Sequence, residues 1–179
     1  SNLMKFNIFR YKIVQSTNKT AIRKINSGYE NGIVVSEKQS NGKGRYGREW
    51  ISKKGNLFTS IFFKINKNFN LKKVTSLNCN IIKACLEEFI KKKIIVKKPN
   101  DMLINKKKLC GILQETFIFK NEIFMIVGIG INIASSPKVN GYKTTHLNEH
   151  LMKKVSKYKL FNSVKKIYEK KLKLFNKCI

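Results

Sequence analysis

The amino-acid sequence predicts an α+β fold: a mixed, largely antiparallel sheet with helices packed mainly on one side. Three observations lead there. Short apolar runs at Leu57 to Phe63, Leu109 to Phe119 and Glu122 to Ala134 are set off by polar turns, as hairpin strands are. From Leu71 to Lys92 the apolar residues Val74, Leu77, Ile81, Ile82, Cys85, Leu86 and Phe89 recur at helical spacing, and Lys157 to Lys177 is amphipathic. Strand runs separated by only a few helices indicate segregated layers.

In chain order, Lys5 to Val14 alternates as a strand, and Ser16 or Thr17 then offers an N-cap to a short helix carrying Ala21, Ile22 and Ile25. Asn26 to Gly32 reads as a turn, Ile33 to Ser36 as a compact strand, and Gln39 to Glu49 as a loop. Ile94 to Val96 is a strand closed by Pro99, and Met102 to Ile104 pairs with Leu109 to Phe119 through a turn at Asn105 to Lys107. Lys120 and Asn121 reverse the chain again. Gly128 and Gly130 interrupt the last strand, where missing side chains let a ligand or another backbone come close. The 179 residues are expected to form a single domain, 1–179, and 42% hydrophobic residues suffice for its core.

Composition narrows the function classes. No apolar run approaches the roughly 18 residues of a membrane span, so no membrane partner is expected. Cys79, Cys85, Cys110 and Cys178 show no C-x-x-C pair, which argues against a disulfide framework or a zinc site and suits a cytoplasmic setting, with an organelle left open. His146 and His150 lack the H-E-x-x-H order and a third ligand, so no dedicated metal cage is expected. The formal charge of +28 would attract nucleic acid, yet lysines occur along the whole chain instead of forming one stripe, and specific DNA binding is not expected. Only four of the 38 basic residues are arginines, and two of them, Arg45 and Arg48, share one glycine-containing loop. A planar multi-donor fork beside another suggests an anion that an ammonium would not hold as well.

That loop, Gln39-Ser-Asn-Gly-Lys-Gly-Arg-Tyr-Gly-Arg-Glu-Trp50, can wrap an anion with backbone N–H groups and cations together, although it lacks the order of a P-loop. Downstream come Lys97-Lys-Pro-Asn-Asp101, Lys108-Leu-Cys-Gly-Ile-Leu-Gln-Glu115 and Gly128-Ile-Gly-Ile-Asn132. In this order and at these spacings, with Ser16-Thr17-Asn18 ahead of them, the blocks resemble the motifs of biotin protein ligases: G-R-G-R-x-G-R-x-W, K-W-P-N-D, K-L-x-G-I-L-x-E and G-x-G-I-N. The resemblance runs from about Ser16 to the last helix. Two departures stand out, Lys43 for an arginine and Lys98 for the tryptophan of the second block.

The resemblance implies the catalytic domain shared with class II aminoacyl-tRNA synthetases. It implies ATP-dependent formation of biotinyl-5'-AMP and transfer of biotin to a lysine of a biotin carboxyl carrier protein, with magnesium on the phosphates and a homodimer allowed. By the same token Ser16, Thr17, Asn18, Gln39, Lys43, Gly44 and Gly111 are expected around biotin. Arg45 and Lys108 are expected to hold both its carboxylate and the α-phosphate. Arg48, Trp50, Asn100 and Asn132 fall to the nucleotide, and Asp101 to the incoming amine, unless it is simply a turn carboxylate paired with a lysine. The family's N-terminal helix-turn-helix domain and C-terminal small β domain are not expected in this chain. A lipoate or octanoate ligase or transferase is the nearest alternative, and a basic nucleic-acid-binding module the more distant one.

Overall fold

The computed structural model describes residues 4–97 and 99–179, so Lys98, one of the two departures, lies outside the described residues. Seven strands form one sheet in the order β1-β2-β3-β7-β6-β5-β4: β1 Ile8–Val14, β2 Asn31–Gln39, β3 Leu57–Ile65, β4 Ile95–Lys97, β5 Asp101–Ile104, β6 Lys107–Phe119 and β7 Glu122–Ile131. Only β1 and β2 pair in parallel, across the crossover helix α1, Thr17–Asn26. The other pairings are antiparallel. The mixed sheet expected from the hairpin pattern is therefore present. Among the described residues no helix is long and apolar enough to cross a membrane.

Side-chain alternation gives the sheet two different faces. Ile61, Phe63, Met125, Val127 and Ile129 face α2, Leu71–Glu87, and α3, Lys157–Lys171, in the larger core. On the opposite face Ala21 and Ile25 of α1 pack on Val34, Phe62, Phe124 and Ile126. Two of the three helices thus share one side, and α1 alone covers part of the other. The rest of that second face stays open for a ligand.

Local chemistry accounts for the element ends. Ser16 caps α1, its Oγ accepting from the Lys19 amide at 3.1 Å. The helix α2 stops at Glu87, short of the expected Lys92, because only Phe89 and Ile90 remain to pack on the core and the lysine run after them has nothing to pack. Beyond Lys171 the last helix tightens into a 3-10 turn over Leu172–Lys177, which lays Phe175 against Phe63 at 4.8 Å between centroids. Both two-residue hairpin turns place non-glycine residues at positive φ, Asn105 and Lys106 in one and Lys120 and Asn121 in the other. That pair of left-handed residues matches the strand twist of a type I′ turn.

One buried side chain ties the end of β7 to the start of β3. Asn56, fully buried, accepts with Oδ1 from the backbone amides of Ile133 and Ala134 at 2.9 Å each and of Ser135 at 3.3 Å. Asn56→Ala is expected to leave these donors without that acceptor and to cost about 3 kcal/mol. Urea unfolding would measure it. A loss under about 1 kcal/mol would mean that water replaces the amide.

Candidate active site

Small residues hollow out the open face. By strand register Ser60 of β3, Gly128 of β7 and Leu113 of β6 lie in one cross-strand row, and Phe58, Gly130 and Gly111 in the next. Over this hollow stand the N-terminus of α1 and the loop 39–50. They enclose a cavity of about 460 Å³ whose walls include Ser16, Thr17, Asn18, Gln39, Gly128 and Trp50. A second chamber of about 280 Å³ is lined by Arg45, Arg48, Asp101, Lys108 and Tyr142 among others. Lys43, Gly44, Tyr46, Trp50 and Leu113 form walls of both, so the two chambers are halves of one cleft.

The first chamber carries a polar network at the start of α1. The Thr17 amide donates to Gln39 Oε1 at 2.8 Å, while Gln39 Nε2 donates to Ser52 Oγ at 3.2 Å. Asn18 donates through Nδ2 to Glu115 Oε1 at 2.7 Å and to the Leu113 carbonyl at 3.3 Å, and its Oδ1 accepts from Ser60 Oγ at 2.5 Å. A hydrogen-bonded polar lining of this kind orients a ligand that has polar atoms to be satisfied when buried.

The loop returns on itself as a lasso. Trp50 donates its amide to the Gly42 carbonyl at 2.8 Å and Gly44 donates to Arg48 O at 2.6 Å, with Tyr46 and Gly47 reversing the chain at φ of 59° and 70°. Trp50 lies so close to the sheet that a Cβ on Gly111 or Gly130 would come within 2.8 and 2.5 Å of its ring. A Cβ on Gly128 would come within 2.5 Å of Asn18 Oδ1. Their clearance seats Trp50 and Asn18, and the glycines themselves also line the cleft, Gly128 and Gly130 in the first chamber and Gly111 in the second.

The second chamber is cationic. Lys43, Arg45, Arg48, Lys97, Lys106, Lys108 and Lys143 line it against two carboxylates, Glu49 and Asp101, which suits it to a polyanion. Lys108 reaches this face through a bulge. Met102 pairs with Cys110 and Leu103 with Lys108, so Leu109 is an extra residue on β6 that is buried in the core of the other face. Simple alternation from Cys110 and Ile112 would send Lys108 toward α2; the bulge re-aims it into the cleft. There its Nζ lies 3.1 Å from Asp101 Oδ1 and over the rings of Trp50 and Tyr142 at 5.1 and 5.2 Å. Arg45 donates to the Tyr46 hydroxyl at 2.6 Å and stacks on its ring at 4.6 Å.

Two residues expected at the nucleotide do not line the cleft. Asn100 is buried and donates to the Ile112 carbonyl at 2.6 Å. Asn132, also buried, donates to the carbonyls of Thr145 at 3.2 Å and Lys108 at 3.4 Å. Their amide N–H groups are spent on backbone carbonyls, which makes them positioning residues for β6. The Lys108 amide donates to Lys143 O and Lys108 O accepts from Thr145 N, both at 2.9 Å, which completes the clasp. His146 and His150 serve the same region: His146 Nδ1 contacts Ser136 Oγ at 2.5 Å and His150 Nε2 contacts Thr145 Oγ1 at 2.6 Å. Burial pushes the Cys79, Cys85 and Cys110 thiols up, so they stay protonated and are poor nucleophiles.

Ser60, Glu115 and Tyr142 had no assigned role in the sequence. Ser60 sits beside Thr59 in a largely apolar strand, and only the register that sets it beside Gly128 reveals it. Glu115 closes a motif, and its partner Asn18 is 97 residues away.

The chain matches the Biotin/lipoate A/B protein ligase family over residues 11–132. It is 33% identical over 143 residues to the bifunctional ligase/repressor BirA of Bacillus subtilis, a match covering 76% of this chain and 43% of that protein. It is 28% identical over 129 residues to the biotin--[acetyl-CoA-carboxylase] ligase of Paracoccus denitrificans, covering 68% of this chain and 52% of that one. Its match thus spans about half the length of these relatives. Among solved structures, the biotin protein ligase from Aquifex aeolicus in complex with biotin and ATP superposes with a TM-score of 0.80 at 29% identity, over 96% of this chain and 72% of that one.

Proposed function

Because this chain belongs to the biotin/lipoate A/B protein ligase family, we propose that it is a biotin protein ligase, which activates biotin with ATP and passes it to a lysine of a carrier protein. The observation that carries this reading is the divided cleft: a chamber under the start of α1, with polar groups of Thr17, Asn18 and Gln39 in a largely apolar wall, continuous with a cationic one lined by both Arg45 and Lys108. The relatives support it, since one holds biotin and ATP together and another is named for the biotinylation of acetyl-CoA carboxylase. The unpaired cysteines suit a cytoplasmic setting.

In the first step a biotin carboxylate oxygen attacks the α-phosphorus of ATP, the bond to the β-phosphate oxygen breaks, and pyrophosphate leaves. Two anions must meet, so the chain's part is to supply positive charge at the meeting point. Arg45 and Lys108 line the same chamber and would grip best as charge builds on the phosphorus. Magnesium bound to the phosphates would neutralise the leaving group, and among the described residues no cluster of three or more His, Cys, Asp or Glu side chains forms a cage for it.

In the second step the lysine nitrogen attacks the acyl carbon, the acyl–phosphate bond breaks, and AMP leaves. Asp101, paired with Lys108 before substrate arrives, is released once phosphate takes over that lysine, and it then accepts the amine's proton. Asp101→Asn is expected to leave adenylate formation within a few-fold and to slow transfer about 100-fold. Single-turnover transfer from preformed adenylate separates the two steps. Equal slowing of both would assign Asp101 to Lys108 alone.

Pyrophosphate release tests the whole reading. Release that depends on biotin is expected, with little from lipoate, whose dithiolane ring offers no N–H to the polar chamber. Release with lipoate and none with biotin would overturn it.

A further inference from the structure

We infer that Glu115 sets the ligand preference of the first chamber without contacting the reacting atoms, by fixing the direction of a hydrogen-bond relay through Asn18, Ser60 and Thr17. The inference rests on the proposed biotin reading and concerns the far end of the same cavity. Its starting point is the chemistry of one group: a carboxylate only accepts hydrogen bonds. Glu115 Oε1, 2.7 Å from the Asn18 amide, therefore selects the Nδ2 end, and the Leu113 carbonyl at 3.3 Å agrees. Oδ1 must then face Ser60.

The rest follows by counting protons. Ser60 Oγ lies 2.5 Å from Asn18 Oδ1 and 2.6 Å from Thr17 Oγ1, but a hydroxyl has one proton to give. Asn18 Oδ1 has none, so the Ser60 proton goes there. The contact between the two hydroxyls is then carried by the Thr17 proton, donated to Ser60. With its proton committed, Thr17 offers the cavity only lone pairs. The chamber thus presents an acceptor to the ligand and selects a ring that carries N–H donors, such as a cyclic urea. Ser60 is fully buried and Asn18 and Thr17 nearly so, and such a shielded chain keeps its polarity. Glu115 is therefore a positioning residue for specificity.

Reversing the first link should weaken the last. In Glu115→Gln the new amide can donate to Asn18 Oδ1, so that the long 3.3 Å bond to the Leu113 carbonyl alone opposes the turnover of Asn18, which frees the Thr17 proton to point at the ligand. Biotin binding, measured by calorimetry on the full chain, is expected to weaken about tenfold, the scale of one hydrogen bond. The double variant Glu115→Gln with Asn18→Asp restores an acceptor facing Ser60 and a donor facing the new carboxylate, and its affinity is expected within about threefold of wild type. Ser60→Ala, which removes the middle of the relay, is expected to weaken binding to the same degree as Glu115→Gln. Unchanged affinity in Glu115→Gln or Ser60→Ala, or weakening without rescue in the double variant, would overturn the relay. A wild-type chain that does not bind biotin at all would overturn the functional reading, and the relay with it.

Discussion

Lys108→Ala is expected to lower the rate of biotin-dependent adenylate formation by about 1,000-fold while leaving the fold intact. The size follows from losing one preorganised cation at the point where negative charge develops, typically worth about 3–4 kcal/mol in a water-poor site. Stability should hardly change. The Lys108 side chain is 15% exposed and its Asp101 partner 37%, and a partly solvated ion pair contributes at most about 1 kcal/mol. The aromatic rings of Trp50 and Tyr142 and the backbone clasp by Lys143 and Thr145 remain in place without the ammonium. Thermal unfolding and pyrophosphate release on the same samples would separate the two effects. Parallel losses of stability and activity would show a structural role instead.

Gly130→Ala is expected to reduce biotin-dependent adenylation by roughly 10- to 100-fold, the equivalent of the 1–3 kcal/mol that overpacking costs. The added methyl would sit 2.5 to 2.8 Å from three atoms of the Trp50 indole. The ring cannot retreat into the sheet, so it must move into the cleft that it divides. This mechanism makes a second claim. In a Trp50→Ala background Gly130→Ala should cost much less, because nothing is left to displace. Additive losses in the two-residue cycle would show that the glycine is needed for some other contact.

Much of this architecture was legible in the chain. The polar start of α1, the hairpins around Asn105 and Asn121 and the long amphipathic α2 each carry a local signal, because caps, left-handed turn residues and helical periodicity act over a few residues. What stayed hidden depends on pairing across the sheet. The inward aim of Lys108 requires the bulge at Leu109, which no periodicity in β6 announces. Asn100 and Asn132 lie in motifs that resemble ligand-binding blocks, yet their amides close on backbone carbonyls contributed by other strands and loops. Ser60 looks like a polar interruption of a largely apolar strand until β7 sets Gly128 beside it. The resemblance to known motifs indicated which residues matter near the cleft; only the register shows which of them face it.

The cleft also explains how a chain with lysines along its whole length can act selectively. Most of the charge is solvated surface. The cations that line the cleft are the few held beside a hollow whose floor includes three glycines and whose divider is a tryptophan.

The most direct measurement is a double-mutant cycle on Arg45 and Lys108, read by calorimetry with a hydrolysis-resistant acyl-adenylate analogue that keeps the phosphate charge. Two cations gripping one phosphate and one acyl oxygen should couple by about 1 kcal/mol or more, so that Arg45→Ala costs much less once Lys108→Ala is present. Strictly additive losses would mean that the two side chains do not act on the same point, and the proposed chemistry would have no site in this cleft.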